Sequence, residues 1–67
     1  MSFRGYESEV EVLGHGDGEL LISDGDVEVW IPYEHIDVDS EINEDSCEGD
    51  TGVIMIPDWL AEDTGLI

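Results

Sequence analysis

Apolar and acidic residues alternate along much of this chain, and that alternation predicts most of its elements. Glu7-Ser8-Glu9-Val10-Glu11-Val12-Leu13 runs acid-apolar with period two, which predicts a half-buried strand whose outer face carries Glu7, Glu9 and Glu11. Gly14-His15-Gly16-Asp17-Gly18 reads as a glycine-rich turn. Glu19 to Ser23, around Leu20-Leu21-Ile22, predicts a second strand, and Asp24-Gly25 a two-residue hairpin turn into a third. The stretch Val27 to Ile36 has the strongest strand signature and is the expected organiser of the sheet. In it Val27, Val29 and Ile31 point one way, Glu28 and Trp30 the other, and Pro32 ends the run. Together these segments predict a three-stranded antiparallel meander.

Beyond Pro32, Tyr33-Glu34-His35-Ile36 fits one turn of helix or 3₁₀ helix. Ile36, Val38 and Ile42 then keep a loose alternation against Asp37, Asp39 and Glu41, predicting a further strand. Residues 43–52 are polar and acidic, an expected mobile loop. Val53 to Ile56 predicts a compact apolar strand, and Pro57-Asp58 opens a short helix with Asp58 as its cap. Gly65 sits where a left-handed residue would end that helix, and Leu66 is placed to fold back on Trp59 or Leu60. Residues 1–6 read as a flexible lead, with Phe3 or Tyr6 as its anchor. The expected fold is one mainly β domain over 1–67. It is a small antiparallel sheet or partly open barrel of about five strands, closed by a short C-terminal helix. Trp59, Leu60 and Ile67 are expected to pack on Val27, Val29 and Ile31.

Two blocks carry a resemblance, Val29-Trp30-Ile31-Pro32…Ile36 and Ile56-Pro57-Asp58-Trp59-Leu60-Ala61…Gly65-Leu66-Ile67. They resemble small phage and prophage proteins in which a strand ending in Trp-Ile-Pro precedes a terminal Ile-Pro-Glu-Trp-Leu-Ala…Gly-Leu. The resemblance implies a fold and a mobile-element source, and no activity. Such relatives commonly carry basic residues after the first block, where this chain has Tyr33 and Glu34.

Charge changes the picture most. The chain has 67 residues, with 19 Asp and Glu against one basic residue, Arg4, for a formal net charge of −18. Small domains usually carry a net charge of magnitude about 2–8 with both signs mixed, so mutual repulsion here calls for a cationic partner, a metal or high salt. Chains of this length bury only about 60% of their unfolded surface, which leaves little room for an enclosed substrate pocket.

Catalytic readings are weak. Cys47 lies in Asp45-Ser46-Cys47-Glu48, where neighbouring acids oppose the thiolate, and a lone cysteine forms no internal disulfide. Carboxylate pairs are unavoidable at this acid content and so discriminate nothing. Asp37, Asp39, Glu41 and Glu48 match positions 1, 3, 5 and 12 of a calcium loop, but Ile42 replaces the required glycine. One Cys and two scattered His make no zinc site. The glycine-rich turn lacks the Lys and Ser/Thr of a phosphate loop. The expectation is no enzyme, no cofactor and no metal.

The absence of a signal-peptide h-region or a long apolar run points to a cytoplasmic protein, in the host cell if phage-encoded. Its surface would repel DNA and anionic lipid. By composition the chain resembles the small acidic anti-defence inhibitors that mimic DNA, the anti-CRISPR type. That resemblance implies a basic nucleic-acid-binding protein of host defence as partner, and the chain itself would be a monomer or homodimer. The expected contact surface is Glu7, Glu9, Glu11, Glu28, Asp37, Asp39, Glu41, Glu44 and Asp45, with Trp30 and Tyr33 as aromatic anchors. Two other readings stand beside it: a module acting by sheet-edge pairing or dimerisation, and a halophile domain, which would unfold at low ionic strength.

Overall fold

The computed structural model describes residues 5–67. Strand β1 (Tyr6–His15) is followed by β2 (Glu19–Ser23), β3 (Glu28–Pro32), a 3₁₀ turn (Tyr33–His35), β4 (Thr51–Ile56) and helix α1 (Asp58–Thr64). The strands form one four-stranded sheet in the order β3-β2-β1-β4, and all neighbours are antiparallel. The meander and the 3₁₀ turn are as the pattern predicts. No described residue among Asp37–Asn43 is in a strand, so the sheet has four strands and stays open.

The organising strand is β1, which lies inside the sheet, whereas β3 is an edge. Ten-residue β1 serves two partners in succession. Its first half pairs with β4, from Tyr6 opposite Ile56 to Glu11 opposite Thr51. Its second half pairs with β2, from Glu11 opposite Ser23 to His15 opposite Leu20. The register slips between Val12 and Gly14, making Leu13 the extra residue of a bulge that bends the strand along its pairing with β2. Tyr6, expected in the lead as one of its two anchors, packs on the core as the first residue of β1; residues 1–4 of the expected lead, Phe3 included, lie outside the described residues.

One face of the sheet is dry. Val10, Val12, Leu20, Ile22, Val29, Ile31, Ile54 and Ile56 are buried there, covered by Ile42 from the long connection and by Leu60, Ala61 and Leu66 from the C-terminal segment. Trp59 and Ile67 do not join them, being 54% and 65% exposed. A seven-residue helix turned to bury Leu60 and Ala61 faces Trp59 outward, where its ring meets His35 edge-on at 5.1 Å. Pro57, and not Asp58, is the N-cap residue, with no side-chain cap bond. At the other end Gly65 takes φ 90°. The bonds Leu66 N–H to Ala61 O (2.9 Å) and Gly65 N–H to Glu62 O (3.3 Å) complete a Schellman motif and carry Leu66 into the core.

The segment expected as a fifth strand runs along β4 in turns. Asp37 Oδ1 accepts the Asp39 N–H (2.9 Å), and Ser40 N–H donates to Asp37 O (3.0 Å), so local bonds replace an extended ladder. The β4 edge is nonetheless closed. Asp37 N–H donates to Met55 O (2.8 Å), and Glu41 N–H to Val53 O (2.9 Å). Met55 N–H donates to Ser40 Oγ (2.8 Å), and Val53 N–H to Glu41 Oε1 (2.8 Å). Gly52 permits this approach, since a Cβ there would stand 3.1 Å from Glu41 Cβ. Among the described residues no helix is long and apolar enough to cross a membrane.

Candidate binding face

Among the described residues no element covers the second face of the sheet. Period two sends Glu7, Glu9 and Glu11 there, all exposed, while Val10 and Val12 between them are buried. Directly opposite residues share a face, so Met55, Val53 and Thr51 flank the row on the β4 side. On the other side Glu11 faces Ser23, which faces Glu28, and Leu21 faces Trp30. Glu19, opposite Pro32, belongs to the same face. The result is a row of carboxylates beside half-buried Leu21, Val53 and Met55, with Trp30 45% exposed at the far margin. The ring of Trp30 lies over Gly16, where a Cβ would stand 2.7 Å from Cζ3. The glycine-rich turn is thus built for close approach by an indole.

The hairpin loop borders an open depression of about 330 Å³ on this face, lined by Glu9, Glu11, Ser23, Asp24 and Thr51 among others. Between β2 and β3 the loop spans four residues, Asp24 to Val27, and not two. Asp24 Oδ1 accepts the N–H groups of Val27 (3.0 Å) and Asp26 (2.9 Å). These bonds, Val27's first, hold its carboxyl below the usual carboxylate range and keep it ionised. The depression therefore offers fixed negative charge to a cationic side chain.

The other expected contact residues lie elsewhere. Asp37 and Glu41 sit beyond β4, where each carboxylate accepts a backbone N–H, so both have structural work. Asp39 is exposed beside them, and Glu44 and Asp45 are exposed on the long connection. Tyr33 is half-buried against the core, with its hydroxyl 2.7 Å from His15 Nδ1. The anionic row and Trp30 share a face, and Tyr33 and the distal acids do not.

The connection expected to be mobile is bonded throughout. His15 Nε2 meets the carbonyl of Ser46, which only accepts, so Nε2 carries the proton and in the neutral ring Nδ1 accepts from Tyr33 Oη. Asn43 N–H donates to Ser46 Oγ (2.9 Å), Cys47 N–H to Asp50 Oδ2 (2.8 Å), and Gly49 N–H to Val12 O (2.8 Å). His15, expected in the glycine-rich turn with Gly14, is instead the last residue of β1, and it ties strand, 3₁₀ turn and loop together. Glu19 and Leu21 were legible as face residues from the same period two that marks Glu7 to Glu11. Among the described residues no three His, Cys, Asp or Glu gather into a metal-holding group. The described ion pair, His35 with Glu34 at 3.8 Å, leaves the carboxylate row without a described counter-charge.

No known family, curated protein or solved structure matches the chain.

Proposed function

We propose that this chain is an acidic inhibitor of the phage type that binds a basic nucleic-acid-handling protein, such as a CRISPR effector or a restriction enzyme. It blocks that protein's nucleic-acid site by charge mimicry. The observation that carries the reading is the exposed row Glu7, Glu9, Glu11 on an uncovered sheet face. Alternate strand residues repeat every 6.6–6.8 Å, roughly two phosphate steps of about 3.4 Å along one nucleic-acid strand. A rigid sheet presents these anions preplaced, so a groove lined with Lys and Arg loses its counterions to the row as it would to phosphates. Leu21, Val53, Met55 and Trp30 add apolar contact beside the charges, which phosphates lack and which favours a protein target over a simple polycation. The field of a chain at −18 also speeds encounter with a basic partner.

The test is a low-salt pull-down from host lysate, eluted in a salt gradient, followed by competition between this chain and labelled nucleic acid for the recovered protein. The expected result is displacement of the nucleic acid, weakening steeply between about 50 and 200 mM salt. It is lost in the E7Q/E9Q/E11Q variant while the circular dichroism spectrum is unchanged. Undiminished displacement by that variant would overturn the assignment of the row.

A further inference from the structure

The two edges of the sheet are finished differently. Side chains and backbone of Asp37, Ser40 and Glu41 occupy the β4 edge. Among the described residues the β3 edge has no such cover. Tyr33 N–H donates to Gly18 O (3.1 Å) at one end of β3, and Asp24 N–H to Val27 O (3.3 Å) at the other. Both contacts put odd-numbered residues of the β3 segment toward β2. The alternation of an antiparallel ladder then turns the backbone groups of Val29 and Ile31 inward and those of Glu28, Trp30 and Pro32 outward. Pro32 has no N–H to lose there, which is why a proline is tolerated in this strand. No bond from another described segment reaches the outward groups.

We infer that the β3 edge receives an extended segment of the partner protein as an added strand. That segment carries Lys or Arg on its outer face beside Glu28, and an apolar residue two positions away against Trp30. The inference rests on the proposed function and names its docking mode. Added strands gain main-chain bonds for affinity and alternate side chains for selectivity. The outward N–H groups of Glu28 and Trp30 supply the former. Glu28 and the half-exposed indole of Trp30, on the same face as the carboxylate row, supply the latter. Charge decides between occupants. A second copy would bring another −18 against this one, and like charges across a strand pair oppose it. A cationic strand relieves the repulsion that a copy would double.

The experiment uses the whole chain and two synthetic octapeptides at low salt: a Lys-Thr-Val-Thr repeat, which sets Lys and Val two positions apart on one face, and the same peptide with every backbone amide N-methylated. Binding and residue-resolved amide exchange are followed by NMR. The plain peptide is expected to slow exchange at the Glu28 and Trp30 amides at least about tenfold. The N-methylated peptide should bind at least about tenfold more weakly, having lost the ladder bonds but kept the charges. Equal binding of both peptides, with shifts confined to the Glu7–Glu11 face, would overturn the edge inference and leave face docking standing. Failure of both to bind would overturn edge and face together. Protection of the two amides that rises with protein concentration, without peptide, would make a second copy the occupant and overturn the cationic strand.

Discussion

Ser40 is the side chain on which closure of the β4 edge depends, and Ser40→Ala tests it. Its hydroxyl accepts the Met55 N–H at 2.8 Å and donates to the Met55 carbonyl at 3.2 Å. The residue is only 7% exposed, so little water stands ready to replace it. Alanine leaves the Met55 N–H without a partner, a cost of about 1–3 kcal/mol, and forfeits a second bond with a net value of about 0.5–1.5 kcal/mol. A loss of about 2 kcal/mol is expected from urea unfolding. At about 4–8 °C per kcal/mol for a chain of this size, the melting temperature should fall by roughly 8–16 °C. Amide exchange locates the effect: protection at Met55 should drop selectively, while the ladder between β2 and β3 keeps its protection. A loss below about 0.5 kcal/mol, or an unchanged Met55 amide, would refute the view that a side chain does the work of a strand there.

Asp24 predicts a pH dependence. Its folded pKa is depressed by the Val27 and Asp26 N–H groups, so its contribution to stability is complete above the ordinary carboxylate pKa. That contribution is lost as pH falls through the folded value. Asp24→Asn should therefore be less stable than the wild type at pH 7, and the two unfolding midpoints should converge as the pH falls through the depressed folded pKa; a constant gap would refute the assignment. Gly16→Ala would place a Cβ 2.7 Å from Trp30 Cζ3 and push the ring off the turn. In a Trp59→Phe background its fluorescence should red-shift at a stability cost below about 1 kcal/mol, and unchanged emission would contradict the contact.

Much of the fold was legible because its signals are local. Period two marks β1 and β3 and sorts their faces correctly, since each buried valine or isoleucine sits between residues that water must reach, while β2 shows only as the apolar run Leu20-Leu21-Ile22. Gly65 ends the helix where expected because few other residues take a left-handed conformation without strain. The expected fifth strand failed for a local reason too. The Asp37 carboxylate bonds its own chain two residues on, and Val38, counted as a core position, is 95% exposed. Trp59 lies outside the core it was expected to join, because an apolar residue on a short helix is not obliged to face inward.

By itself, the sequence determined the strands of the meander, the acid row of β1, the helix and its stop, and the large excess of negative charge. All of these follow from periodicity, backbone allowance and the balance of ionised groups, which neighbouring residues settle among themselves. Only the tertiary structure decided that β1 is central, that a bulge at Leu13 interrupts its pairing with β2, and that Asp37 and Glu41 are spent on backbone bonds. It also decided that one sheet edge is closed while the other, among the described residues, is open. Those outcomes depend on which distant segments meet, and backbone groups find their partners through space, not along the chain.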